Sequence, residues 1–260
     1  MSFWISPKKG KNRMRSDKKN YKLIALDMDG TLLNEKGAIS DENRRAIEEA
    51  QANGIHVVLS TGRSILTCGV YAKSLNLSSY LVTVNGSEIW DCSGNLHERN
   101  ILHSEYIQMM WEWADTNQTH FWAVATDKVW RNQMPEDIFA HTWLKFGFDI
   151  ADDSLRESIL QRLLSNQQLE VSNSSPTNIE INAVGVNKAN GLIHVCSKLG
   201  ISMDEVIAMG DSLNDIEMIK AAGCGVAMGN AQDEVKKAAN RITGTNEEDG
   251  VAKAIRYWVL

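Results

Sequence analysis

Along this chain, short apolar runs alternate with amphipathic stretches, and several of the runs stop abruptly at a polar residue. Leu23-Ile24-Ala25-Leu26 ends in Asp27, and Ile55-His56-Val57-Val58-Leu59 ends in Ser60-Thr61-Gly62-Arg63. Tyr80-Leu81-Val82-Thr83-Val84 gives way to Asn85-Gly86, and Val206-Ile207-Ala208-Met209 to Gly210-Asp211. Such runs, short and without internal alternation, predict strands buried on both faces, as in a parallel sheet. Helical patterns separate them: Ser40 to about Asn53, with Ser40 as N-cap and Gly54 as stop, then Ile65–Leu75, Ala189–Leu199 and Asp215–Ala222. A short strand is predicted at Cys224–Met228, with helices over 231–240 and 249–259. Strand–helix alternation predicts an α/β, Rossmann-like core. The polar residues after the strands then share one sheet edge, where open parallel sheets bind ligands.

From Glu88 to Val186 the texture differs. Alternating stretches such as Phe121-Trp122-Ala123-Val124 and Asn178-Ile179-Glu180-Ile181-Asn182 are separated by helical patterns near 104–117 and 154–165. This predicts an inserted α+β domain over 88–187, splitting a core made of 21–87 and 188–260. Six of the eight tryptophans fall within the insertion, Trp90, Trp111, Trp113, Trp122, Trp130 and Trp143, where packing is the expected use of most. Residues 1–20 are rich in lysine and arginine, lack apolar periodicity, and read as a disordered basic tail.

Composition narrows the class. The net charge is −6 over 260 residues, with 43% hydrophobic and 23% charged residues, as in a soluble globular protein and unlike a nucleic-acid binder. No apolar run reaches the roughly 20 residues that span a bilayer. The four cysteines, Cys68, Cys92, Cys196 and Cys224, form no Cys-x-x-Cys pair, so a zinc cluster or disulfide framework is not expected. The six histidines are scattered and show no metal-binding spacing. A cytoplasmic protein, monomeric or homodimeric, is the expectation, with no nucleic-acid or membrane partner.

The chemistry concentrates at the strand ends. Asp27-Met28-Asp29-Gly30-Thr31 places two acids two residues apart beside a glycine that permits a sharp turn. An EF-hand starting at Asp27 fails, because its sixth and twelfth positions, Leu32 and Ala38, should be glycine and glutamate. Gly210-Asp211-Ser212-Leu213-Asn214-Asp215 ends another strand; if the two strands are neighbours, Asp27, Asp29 and Asp211 converge. Crowded carboxylates repel unless a cation lies among them, and an oxygen-only set suits Mg²⁺. Thr61-Gly62-Arg63 offers a hydroxyl and backbone amides for phosphate, and Lys188 offers a point charge at a helix start. Each of these last two would, alone, read as a capping turn or a surface charge.

Taken together and in this order, these motifs resemble the haloacid dehalogenase superfamily of phosphotransferases. Asn85-Gly86 followed by the inserted domain is similar to its Cof-like subgroup, whose cap is of type IIB. The resemblance runs from about Tyr21 to the C-terminus. It implies a Mg²⁺-dependent phosphatase in which Asp27 is the nucleophile, forming an aspartyl phosphate, and Asp29 is the general acid and base. It implies metal ligation by the Asp27 carboxylate, the Asp29 backbone carbonyl and Asp211. Met28, Thr61, Gly62, Lys188 and Asn214 would hold phosphate, and Asp215 would support Lys188 or a metal-bound water. An acid at position 29 favours hydrolysis, since the ion-pump relatives carry threonine there. The run Lys188-Ala189-Asn190-Gly191 departs from the family pattern, which often has glycine directly after the lysine. Small phosphate esters, namely sugar phosphates, phosphorylated vitamin precursors and nucleotides, are the implied substrates. A phosphomutase of the same superfamily and a non-catalytic phosphosugar-binding regulator are the alternatives.

Overall fold

The structure is a computed structural model that describes residues 20–260. The basic tail expected over 1–20 therefore lies, but for Asn20, outside the described residues. In chain order the elements are β1 (Leu23–Leu26), α1 (Asp41–Ala52), β2 (His56–Ser60), α2 (Ile65–Ser74), β3 (Tyr80–Thr83), β4 (Glu88–Asp91) and β5 (Leu96–Arg99). They continue with α3 (Ser104–Thr116), β6 (His120–Ala125), β7 (Val129–Arg131), β8 (Trp143–Asp149), α4 (Asp153–Leu164), β9 (Leu169–Ser172) and β10 (Asn178–Ala183). The chain closes with α5 (Lys188–Leu199), β11 (Val206–Gly210), α6 (Ile216–Ala221), β12 (Cys224–Ala227), α7 (Asp233–Ala238), β13 (Arg241–Ile242) and α8 (Gly250–Ala254).

Two sheets organise these elements. The first runs β13-β12-β11-β1-β2-β3-β4-β5, and β1 pairs in parallel with β11 on one side and β2 on the other. All four residues of β1 are buried, as the uninterrupted apolar run requires of a central parallel strand. Successive strands build outward from β1 in one direction as β2 and β3 and, after the insertion, in the other as β11, β12 and β13. The order reverses between β1 and β11, and a reversal of this kind opens a crevice at the carboxyl ends of the strands. Ser40 caps α1 by accepting from the Asn43 N–H, as its position before the helical pattern predicts.

The boundary expected at residue 88 differs from the strand pairing. β4 adds antiparallel to β3, and β5 antiparallel to β4, at the edge of the first sheet. The strand predicted to run through Val84 stops at Thr83, and Val84, Asn85 and Gly86 turn the chain with φ of 50, 58 and 103°. Trp90, assigned to the insertion from sequence, packs on the core cluster instead. A hairpin returning to the same sheet and a strand opening a new domain carry the same local pattern; only the hydrogen-bond partner distinguishes them.

The second sheet, β7-β6-β8-β10-β9, is antiparallel. One face packs on α3 and α4 through Phe121, Ala123, Phe146, Phe148, Ile179 and Ile181. The opposite face turns to the crevice of the first sheet. Between β6 and β8 the register shifts at Val124/Ala125: Val124 opposes Lys145 and Ala125 opposes Trp143, leaving Leu144 as the extra residue. Such a bulge re-aims side chains: Lys145 keeps the ordinary alternation that faces the first sheet, while the extra Leu144 joins Val84 and Val124 on that face and Trp143 returns to the cap core.

Candidate active site

Adjacent strands bring three separated segments together. Asp27 directly follows β1, Asp211 follows β11, and Thr61-Gly62 follows β2. Lys188 opens α5, which is capped by the Asn187 side chain accepting from the Asn190 N–H. This cap fixes the first turn, so the glycine missing after Lys188 does not displace the lysine. Lys188 is 1% exposed and bridges Asp27 Oδ1 at 2.6 Å and Asp215 Oδ1 at 2.7 Å. The other Asp215 oxygen accepts from the backbone N–H groups of Asp211 and Ser212 at 2.9 and 3.0 Å. Asp211 accepts from Thr31 Oγ1 at 2.7 Å and Ser212 Oγ at 2.9 Å. Gly30, at φ 80°, lies so close to Asp211 that a Cβ there would stand 2.4 Å from Oδ2; its absence lets the acids approach.

Oxygens of Asp27, Asp211 and Asp215 all lie within 4.8 Å of one another. Against these three acids the cluster sets a single ammonium. Burial raises the Asp27 carboxyl well above the usual carboxylate range despite Lys188, with repulsion from Asp215 and Asp211 adding to it. Burial and then Asp215 push Asp211 up to about 6. Burial opposes the charge on Lys188, but Asp215 and Asp27 outweigh it and raise that ammonium as well. Every shift tends toward taking up positive charge, so a small divalent cation with hard oxygen ligands fits this donor set.

The Asp29 carboxylate stands outside that group. Its side chain is 61% exposed and is held by Arg63, with Nε donating to Oδ2 at 2.7 Å and Nη2 to Oδ1 at 2.5 Å. The Asp29 carboxylate is thus engaged by Arg63 and is not part of the Asp27, Asp211 and Asp215 group. Thr61 is buried, and its Oγ1 accepts from the Arg63 N–H at 3.2 Å. The N–H groups of Met28 and Gly62 have no acceptor among the described residues. Asn214 donates weakly to Asn85 Oδ1 at 3.5 Å and faces the same space.

The second sheet lies over this centre, and between them is a half-open cavity of about 320 Å³ whose walls include Asp27, Asp29, Gly62, Lys145, Glu180 and Asn214. Lys145 and Glu180, 3% and 4% exposed, pair at 3.3 Å. Lys145 Nζ donates to the Gly62 carbonyl at 2.9 Å, and Glu180 accepts from Asn85 at 2.7 Å and Ser174 at 2.9 Å. Burial alone would raise the Glu180 carboxyl, but Lys145, Asn85 and Ser174 together lower it. Asn182 donates to Val84 O, Ser87 Oγ and Leu144 O. These residues escaped the sequence reading. The signal was present as charged and amide residues on one face of alternating strands, Leu144-Lys145-Phe146 and Ile179-Glu180-Ile181-Asn182, but period-2 patterning does not say what that face meets.

The model of the haloacid dehalogenase-like hydrolase family matches residues 24–158 and 136–255. The chain belongs to this family. It is 62% identical, over 241 residues covering 93% of this chain and 97% of the relative, to the 5-amino-6-(5-phospho-D-ribitylamino)uracil phosphatase YcsE of Bacillus subtilis (strain 168). A second relative from that organism, a phosphatase named for the same compound, is 31% identical and covers 91% of this chain and 97% of its own length. Among solved structures, a haloacid dehalogenase-like hydrolase from B. subtilis superposes with a TM-score of 0.84 at 26% identity, covering 90% of this chain and 99% of that one. A subclass IIB sugar phosphatase shares the fold at a TM-score of 0.81 and 23% identity, covering 91% and 98%. The second sheet with α3 and α4 is thus a cap on a haloacid dehalogenase-like core, and the chain is a phosphatase of this family. Among the described residues no helix is long and apolar enough to cross a membrane.

Proposed function

We propose that this phosphatase hydrolyses small phosphorylated metabolites with Mg²⁺, and that 5-amino-6-(5-phospho-D-ribitylamino)uracil is its substrate. The 62% identity, along nearly the whole chain, to a phosphatase named for that compound carries this reading.

In this reading Asp27 attacks phosphorus and forms an aspartyl phosphate, which divides one hard displacement into two easier ones. Lys188 and the N–H groups of Met28 and Gly62, with Thr61 and Asn214, hold the phosphoryl oxygens. Asp27, the Asp29 backbone carbonyl and Asp211 hold the ion, which supplies the charge that lets an anionic carboxylate approach an anionic phosphate. Asp215 keeps Lys188 in place with one oxygen and fixes the 211–212 backbone with the other. Asp29 protonates the departing oxygen and then takes a proton from the attacking water. Since Arg63 occupies both Asp29 oxygens, that transfer requires the carboxyl to turn from Arg63 toward Asp27.

Phosphate release from this compound should be rapid with Mg²⁺ and suppressed by EDTA. Asp27→Asn should lose about a thousandfold or more in kcat, as expected for loss of a nucleophile. Absence of release by the unaltered protein at every Mg²⁺ concentration, or full activity of Asp27→Asn, defeats the reading.

A further inference from the structure

One tryptophan of the cap faces the catalytic cavity and not the cap's interior. In β6, Phe121 and Ala123 enter the cap core, and alternation puts Trp122 on the other face. There it lines the same cavity as Asp27 and Asp29 and is half-buried. Its cross-strand neighbour in β8 is Gly147, where an added Cβ would lie 2.2 Å from Trp122 Cζ2 and 2.3 Å from Cε2. The six-membered part of the indole therefore rests on bare backbone.

The other cap tryptophans are engaged. Trp143 is buried and donates to Ile138 O at 2.8 Å. Trp130 lies under Lys128 at 3.7 Å, and Trp113 under Arg162 at 3.9 Å. Trp111 packs on the cap core. Trp122 packs against the cluster of Val84, Val124 and Leu144, but among the described residues it has neither a cation over its ring nor an acceptor for its indole N–H. Beside it in β7, Arg131 is exposed, lines the cavity, and has no ion-pair partner among the described residues. On the far side of Gly147 stands Glu180. One transverse row of the cap sheet thus offers a guanidinium, an indole seated on a glycine, and a carboxylate with polar neighbours, at one wall of a cavity whose other wall holds the nucleophile.

We propose that Trp122, seated on Gly147 and flanked by Arg131, is the subsite for a planar, hydrogen-bonding ring at the end of the leaving group. The proposal rests on the phosphatase reading above and deepens it. A ring on Trp122 and a phosphate at Asp27 need a flexible polar spacer between them, which Glu180 and Ser174 can line. A ribityl chain supplies that spacer. Bare sugar phosphates fill only the inner part of the cavity, so the subsite separates ring-bearing esters from simple ones.

Two readouts test this. The first is equilibrium binding of riboflavin 5′-phosphate, a ribityl phosphate on a planar ring, to Asp27→Asn protein, followed by quenching of flavin fluorescence. Adding Trp122→Ala should weaken binding by about tenfold or more, within the range seen for ring–aromatic stacking, while Trp122→Phe should keep most of it. The second is turnover. Trp122→Ala should lower kcat/KM for 5-amino-6-(5-phospho-D-ribitylamino)uracil by a similar factor and leave ribitol 5-phosphate within about twofold. Unchanged flavin binding, or an equal loss on both esters with a lowered Tm, overturns the subsite. Intact, Trp122-dependent flavin binding without hydrolysis of the uracil compound supports the subsite and overturns the substrate assignment.

Discussion

Asp211 has both oxygens satisfied, by Thr31 and Ser212, yet its carboxyl is pushed up to about 6. Burial and the neighbouring Asp215 make its charge costly to the fold. The native state binds a proton between about pH 4 and 6 that the unfolded chain has already released, so this group's contribution to stability falls as pH rises through that window and is fully unfavourable above it. Asp211→Asn should therefore raise the Tm of the metal-free protein at pH 7.5 by a few degrees, corresponding to about 1–2 kcal/mol. The gain should vanish near pH 4, and thermal melts in EDTA at both pH values check it. With the proposed Mg²⁺ the order should reverse, since the ion stabilises the unaltered protein and has lost a ligand in the variant. At this scale the acids were legible in the sequence, because a carboxylate that ends an apolar strand has few structural uses. Arg63 was legible as part of a motif, but its grip on Asp29 was not.

At the scale of elements, the bulge between β6 and β8 and the Trp122–Gly147 pair shape the cap's inner face. Gly147→Ala should push the indole off its seat without unfolding the sheet, because the clash is with a side chain that can swing away. If Trp122 serves as a ring platform, KM for a ring-bearing ester should rise several-fold while kcat on ribitol 5-phosphate stays unchanged; steady-state kinetics on the two esters decide. Periodicity identified β6 and β10 as alternating stretches but did not single out β8. It misplaced β4 and β5, because a hairpin closing the core sheet and a strand opening the cap carry the same alternation.

For the whole molecule, the buried Lys145–Glu180 pair joins the cap to the core through Gly62 and Asn85. The Glu180 carboxyl lies below its ordinary 4.5, so its stabilising contribution is complete above that pH and is lost as pH falls through the lower folded value. Glu180→Gln leaves Lys145 buried without its countercharge and should cost about 3 kcal/mol at pH 7. The difference in Tm from the unaltered protein should hold steady above about pH 5 and shrink below 4.5. Lys145→Met should slow turnover of both ring-bearing and simple esters alike, since it frees the Gly62 carbonyl beside the proposed phosphate site.

By itself, the sequence determined the α/β core, the inserted cap and the acids at the strand ends. Each follows from local regularities: apolar runs that must be buried, and polar residues that interrupt them. The tertiary structure alone decided which strand ends are neighbours, which tryptophan leaves the cap core, and how Lys145 and Glu180 meet Gly62 and Asn85. Those facts depend on contacts between residues far apart in the chain, and neither periodicity nor spacing encodes the partner that a given face will find.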